Sequence, residues 1–327
     1  MPFPPRDLPA WALAAAALRA GQPAALLCVL RSEGSSPGRQ GFKMAVTDAA
    51  TAGSIGGGIM EHKWVELARQ RLRAGDAAPM LRPQVHRLGA PADRSGMMCS
   101  GEQEVLLWPL TPADLPAVAA IEAALGALGS GAFELSEAGG LRVLPGAPAT
   151  FYDYQPGPGW RYREQLGFRD QLTIVGGGHV SRALARAAGA LDFEITVLDD
   201  RPDLPTLAAN DDAHHRHVLG SYEALAAAVP PGPHRYVVVM TVGYRTDAVA
   251  LRQLLGHQCC YLGVMGSAAK VAELRRVLAE EGFPATELAR LRGPIGVPIG
   301  SRTPAEIAVS VAAELIAVRN GAPGAGQ

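Results

Sequence analysis

Cysteine is scarce in this chain: four in 327 residues, two of them adjacent (Cys259 and Cys260), and no CxxC pair. That spacing excludes a disulfide framework and a zinc module, and it points to a reducing compartment. Charge of one sign is also missing. The formal net charge is −1 and no run of Lys or Arg stands out, so no general attraction to nucleic acid or to an anionic membrane is expected. No stretch approaches the roughly 20 apolar residues needed to cross a bilayer. The apolar segment Ala10–Leu18 has Arg6 beside Asp7 in front of it. It therefore lacks the positive flank of a signal segment and reads as a helix. A cytoplasmic location is the expectation.

What is present is ordinary for a folded chain: 48% hydrophobic and 19% charged residues. The length is too great for one comfortable core, so two domains are expected. Residues 1–155 read as a mixed α+β domain. A helix spans about Leu8 to Ala20, with Asp7 as its cap, and a strand runs Ala24–Arg31. The turn-rich loop Glu33–Gly41 leads into a second strand, Phe42–Thr47. A helix from Ile59 to about Arg73 follows a run of glycines. Residues 156–170, opening with Pro156-Gly157-Pro158-Gly159, read as a linker. From Gln171 to 327 the pattern is strict strand–helix alternation, the mark of a parallel α/β sheet.

Four groups of residues carry chemistry. Gly176-Gly177-Gly178-His179 follows a strand and opens a helix, and Asp199 ends the next strand. This is the layout of a dinucleotide-binding turn, in which the helix N-terminus faces a pyrophosphate and the acid meets a ribose hydroxyl. Gly53-Ser54-Ile55-Gly56-Gly57-Gly58 lies just before another helix and reads as a second anion site built from backbone N–H groups. Arg39, Lys43 and Glu61 are candidates to line it, Glu61 equally as a helix cap. Cys99 sits in the irregular segment Gly96–Glu102, where a thiol is reachable and can ligate a soft metal. Cys28, Cys259 and Cys260 lie in apolar strands and read as core residues. His214, His215 and His217 read as a solvated loop. No His–Asp or Lys–Tyr pair stands where hydride transfer would need its acid and base.

The order Glu33-Gly-Ser-Ser-Pro, Gly41-Phe-Lys-Met, Gly53-Ser-Ile-Gly-Gly-Gly-Ile-Met-Glu61 and Met98-Cys99 resembles the N-terminal domain of the XdhC/CoxI family, the xanthine dehydrogenase accessory proteins. In the second half Ile174–His179, Val197–Pro202, Tyr261–Ser267 and Pro294–Ile307 are similar too. The resemblance covers nearly the whole chain. It departs at Ser100, where the family often has glycine, and at Gly38, which separates Pro37 from Arg39. The resemblance implies a dimeric, non-enzymatic factor. Such a factor binds the molybdenum cofactor, takes part in its sulfuration with a cysteine desulfurase and delivers it to a molybdenum hydroxylase. Carried over residue by residue, the family's glycine loop falls on Gly53–Gly58 and its cysteine on Cys99, as metal ligand or sulfur relay; Ser54, Gly56, Gly57, Gly58 and Cys99, with Arg39, Lys43 and Glu61 from the anion-site reading, are then the expected cofactor contacts. Gly176, Gly178, His179 and Asp199 are then expected to meet the cofactor or a nucleotide-extended form of it. Two other readings remain: an NAD(P)-dependent oxidoreductase, and a regulatory module that senses a nucleotide.

Overall fold

The computed structural model describes residues 2–85 and 101–322. The chain divides into two compact units, Pro4–Gly167 and, together with Met1–Phe3, Phe168–Gln327.

The first unit begins with α1 (Leu8–Arg19) and β1 (Ala24–Glu33), continues through β2 (Lys43–Thr47), β3 (Thr51–Gly53) and α2 (Gly58–Arg73), and then forms β4 (Met80–Val85) and β5 (Glu102–Leu110). These strands form an antiparallel sheet in the order β3-β2-β1-β5-β4. β1 is apolar and buried from Ala24 to Leu30, where it is central and covered on both faces. Leu26, Cys28 and Leu30 join the core that holds Trp11 of α1, whereas Ala25, Leu27 and Val29 join the core under α2, with Trp64. Cys28 is thus a core residue, as its strand implied.

After α3 (Leu115–Gly126) come β6 (Ala132–Ser136), β7 (Gly140–Leu144), β8 (Tyr152–Gln155) and β9 (Arg161–Gln165), a second antiparallel sheet in the order β7-β6-β9-β8. The stretch 156–170 is therefore not a linker. β9 lies in it, hydrogen-bonded to β6 and β8. Trp160, Tyr162, Glu164 and Leu166 are buried at every second position, an alternation that the neighbouring Pro-Gly-Pro-Gly run obscured.

The second unit contains β10 (Asp170–Val175), α4 (His179–Gly189), β11 (Phe193–Asp199), α5 (Pro205–Ala208), β12 (His215–Val218), α6 (Leu225–Ala228), β13 (Gly232–Val239), α7 (Tyr244–Leu254), β14 (Cys259–Val264), α8 (Ala268–Glu280), α9 (Ala285–Arg290), β15 (Leu291–Arg292) and α10 (Pro304–Arg319). Its strands are parallel, in the order β12-β11-β10-β13-β14-β15. This is the doubly wound Rossmann order, whose direction reverses between β10 and β13. His215 and His217 belong to the edge strand β12 rather than to a loop. Cys259 is half-buried and Cys260 exposed. The core reading fails for Cys260; Cys259 packs at the edge of the core under α7 and α8, and the buried run of β14 begins at Tyr261.

One buried ion cluster ties the first unit together. Lys43 is fully buried, and its Nζ donates to Asp7 Oδ2 at 2.7 Å, Glu164 Oε1 at 2.6 Å and the Gly41 carbonyl at 2.7 Å. Tyr162 donates its hydroxyl to the other oxygen of Glu164 at 2.6 Å. Asp7 occupies the N-cap position of α1 but makes no side-chain cap bond, because its carboxylate is turned to Lys43. One ammonium cannot neutralise two carboxylates, so they diverge. Burial, reinforced by the charge of Asp7, pushes Glu164 up to about 7 against the pull of Lys43. Burial also raises Asp7, but Lys43 and Arg6 outweigh it and hold that carboxyl below its usual value.

All four tryptophans (Trp11, Trp64, Trp108 and Trp160) lie in this unit, so their fluorescence reports its unfolding alone. Lys43→Met is expected to destabilise it by about 3–5 kcal/mol, since the buried Glu164 loses its cation and Asp7 is left with Arg6 alone. The raised Glu164 carboxyl contributes stability that is complete below its unfolded value, roughly 4.3, and is lost as pH rises to about 7. Denaturation followed by tryptophan fluorescence is expected to weaken across that window in the native chain and to stay level in Glu164→Gln.

Candidate functional site

The glycine loop before α2 forms the expected nest of donors. Gly56, Gly57 and Gly58 all have positive φ (126°, 76° and 70°), a conformation that turns successive N–H groups towards one point. That point is taken by the chain's own carboxylate. Glu61 Oε2 accepts from Ser54 Oγ at 2.6 Å, Ile55 N at 2.8 Å and Gly57 N at 3.0 Å. Ser54 Oγ in turn accepts from Gly56 N at 3.0 Å. Glu61 is thus the nest's present occupant.

Three segments far apart in sequence converge beside this nest. A Cβ on Gly38 would stand 2.1 Å from the Ile55 carbonyl oxygen, one on Gly56 2.4 Å from Gly38 N, and one on Gly101 2.2 Å from Ser36 N. Glycine is required at all three because backbone lies directly on backbone. Gln103, only 2% exposed, accepts from Gly38 N through Oε1 at 3.1 Å and reaches Met60 Sδ through Nε2 at 3.6 Å. It joins the hairpin loop to the first turn of α2. Gln103 escaped the sequence reading; its signal was an amide in a strand that is otherwise buried and apolar from Val105 onward.

The basic candidates go elsewhere. Arg39 is exposed and donates to the Gly34 carbonyl at 2.7 Å, closing its own loop. Lys43 lies in the buried ion cluster and does not line the nest, because side chains of adjacent strand residues alternate between faces and its own is held among Asp7, Gly41 and Glu164. Cys99 lies outside the described residues; Gly101, two positions on, is the first of that segment seen against Ser35 and Ser36.

In the second unit the glycine turn sits at the end of β10. Gly176 has φ 110°, and a Cβ there would meet the Met240 carbonyl oxygen at 2.3 Å. Gly177 is packed under Leu204 and Leu207, each with an atom 3.0 Å from where its Cβ would be, and Thr206 Oγ1 donates to the Gly177 carbonyl at 2.6 Å. Gly178 is open, with nothing within 4 Å of a Cβ, and His179 is an exposed first residue of α4. Asp199 does not present a free acceptor to a ribose. Its Oδ2 accepts from Gly177 N at 2.6 Å and Arg201 Nη2 at 2.7 Å, its Oδ1 from Arg201 N at 2.9 Å and Nε at 2.8 Å. Four donors fill the lone-pair sites of a buried carboxylate. Burial raises its pKa, and the bonds from Arg201 and Gly177 more than reverse that, holding it ionised.

Comparison with known proteins matches both halves. The model of the XdhC and CoxI family matches residues 17–83, and that of the XdhC Rossmann domain matches residues 172–315. The chain is 28% identical over 304 residues to the uncharacterized protein YqeB of Escherichia coli K12, covering 92% of this chain and 44% of that protein. It is 30% identical over 151 residues to a protein of Bacillus subtilis 168 described as a probable xanthine dehydrogenase component, covering 46% of this chain and 43% of that one. The chain thus spans less than half the length of either relative. The crystal structure of a xanthine dehydrogenase from Bacillus halodurans shares the fold, with a TM-score of 0.69 and 22% identity over 97% of this chain and 98% of that one.

Removing the resident carboxylate tests the nest. Glu61→Ala is expected to cost about 1–2 kcal/mol, the order of losing charge-assisted hydrogen bonds at a half-exposed site. It should also speed amide exchange at Ile55 and Gly57; unchanged exchange at both amides would show that Glu61 does not hold the loop.

Proposed function

The chain belongs to the XdhC and CoxI family, and on that premise we propose that it is an accessory factor that binds molybdenum cofactor and delivers it to a xanthine dehydrogenase-type molybdenum hydroxylase. The observation that carries this reading is the convergence of the hairpin loop, the glycine nest and the segment entering β5 at Gly101. An oxygen already sits in the nest with three donors upon it, so the nest suits an oxyanion. A phosphate of the cargo would take the place of Glu61 Oε2. Cys99, two residues before Gly101 in sequence, would supply the soft ligand or relay sulfur. On this reading Ser54, Gly56, Gly57 and Gly58 hold the phosphate, and Arg39 reaches it only by leaving Gly34. A cysteine desulfurase that sulfurates the cargo and a homodimeric carrier in the cytoplasm belong to the same proposal, and no chemistry of the carrier's own is required.

An NAD(P)-dependent oxidoreductase is the second reading, favoured by the strand order and the glycine turn. Against it stands Asp199, whose oxygens are taken by Arg201 and Gly177.

The deciding measurement is molybdenum and pterin content of the protein purified without oxygen from a cofactor-producing host and from a cofactor-deficient one. Pterin and molybdenum near one per chain, in the first preparation only, are expected, with molybdenum strongly reduced in Cys99→Ala. Two empty preparations that bind NADH at micromolar concentration would replace the carrier with the oxidoreductase.

A further inference from the structure

The two sides of the Rossmann crevice differ. On the β11 side Arg201 covers Asp199, and Leu204 and Leu207 pack over Gly177. On the β13 and β14 side lies a charged cluster that none of the sequence motifs drew attention to. Asp247, in the first turn of α7, is fully buried. Its Oδ1 accepts from Thr241 N at 3.0 Å and Thr241 Oγ1 at 2.6 Å, just beyond the end of β13. Its Oδ2 is ion-paired with Lys270 in the first turn of α8. The Lys270 ammonium also donates to the Met265 carbonyl at 3.0 Å, just beyond β14, and its side chain remains 23% exposed. An ammonium has three N–H donors; this one donates one to Met265, and its charge is paired with Asp247.

The glycines around this cluster divide into two kinds. Gly176 is needed for contact, since its Cβ would strike the Met240 carbonyl. Gly178 and Gly243 are not: their φ values are −72° and −171°, ordinary for any residue, and no atom lies within 4 Å of a Cβ at either. Neither strain nor packing demands glycine at these two positions. They are the N-caps of α4 and α7, on either side of the point where the strand order reverses, where ligands of open parallel sheets bind. Their bare backbone leaves room for a group to approach the helix N-termini. Arg245, exposed on the same turn as Asp247, adds a second positive charge.

We propose that this crevice binds a phosphate monoester, with Lys270 as the cation that contacts the phosphate, Asp247 as the residue that positions Lys270, and Gly178 and Gly243 as the open backbone that admits it. Lysine serves phosphate as a point charge. On the closed β11 side the acid that would meet the second ribose of a dinucleotide is already engaged. The site shares no residue with the glycine nest on which the molybdenum reading rests.

The test is isothermal titration of the full chain with inorganic phosphate, in the native protein and in Lys270→Gln, Gly178→Ala and Gly243→Ala. Saturable binding at millimolar phosphate or below is expected, weakened about tenfold or more (roughly 1.4 kcal/mol) in each alanine variant, whose melting temperature falls only by the small amount that alanine in place of glycine costs at a helix N-cap, and lost in Lys270→Gln. The alanine variants carry the decision, because Lys270→Gln also leaves Asp247 buried without its counter-ion. Absence of saturable binding by the native chain would overturn the proposal. So would native-like binding in both alanine variants, which would assign the phosphate to another place. NADH binding far more tightly than phosphate would overturn the monoester and restore the dinucleotide. None of these outcomes alters the molybdenum content that tests the carrier reading.

Discussion

The ammonium of Lys43 is shut away from water, and the first unit is built around satisfying it. Its three acceptors come from the residue before α1, the end of the hairpin loop and the strand β9, positions spread over almost the whole unit. A buried charge without partners costs several kcal/mol, so these three pieces of chain stand or fall together. The helix α1 is thereby joined to both antiparallel sheets. The hairpin loop that bears Arg39 and Gly38 leads into a strand that cannot shift without breaking the cluster. The excess carboxylate is accommodated by Glu164, whose proton leaves only near neutrality.

On that frame the candidate site is assembled by contact between backbones. Gly38, Gly56 and Gly101 come from three separate segments, and each has a neighbour's peptide group where a side chain would be. Gln103 then joins two of these segments by hydrogen bonding. Glu61 keeps the nest in shape as its provisional ligand, so the site is pre-organised for an oxyanion and occupied by one at the same time. On the proposed carrier reading an incoming phosphate would compete with a tethered carboxylate, which would favour release as well as uptake.

The second unit has the order of strands of a dinucleotide-binding domain and a different distribution of charge. The acid after its second strand is used up by Arg201, and Gly177 of its glycine turn is covered by leucines while Gly178 stays open. The open side carries a fixed lysine instead. Fold and ligand are therefore separate questions here, and the side chains beyond β11, β13 and β14 decide the second.

Much of the architecture was legible from local pattern. The parallel sheet followed from strand–helix alternation after Gln171, the strand β1 from its apolar run, and the nest from glycines placed before a helix. Periodicity and glycine placement act within a few residues, so sequence alone determines them. What it could not determine was which partner each polar group meets. Lys43 looked like a cation for the glycine nest and is a core residue, Asp7 looked like a cap and is a counter-ion, and Asp199 looked like a ribose acceptor and holds Arg201. β9 was hidden behind a Pro-Gly run. Each of these depends on groups dozens of residues away, or on a side chain folding back over its neighbour. Only the tertiary structure decides such pairings, because a buried charge takes whatever partner the packed chain brings within about 3 Å.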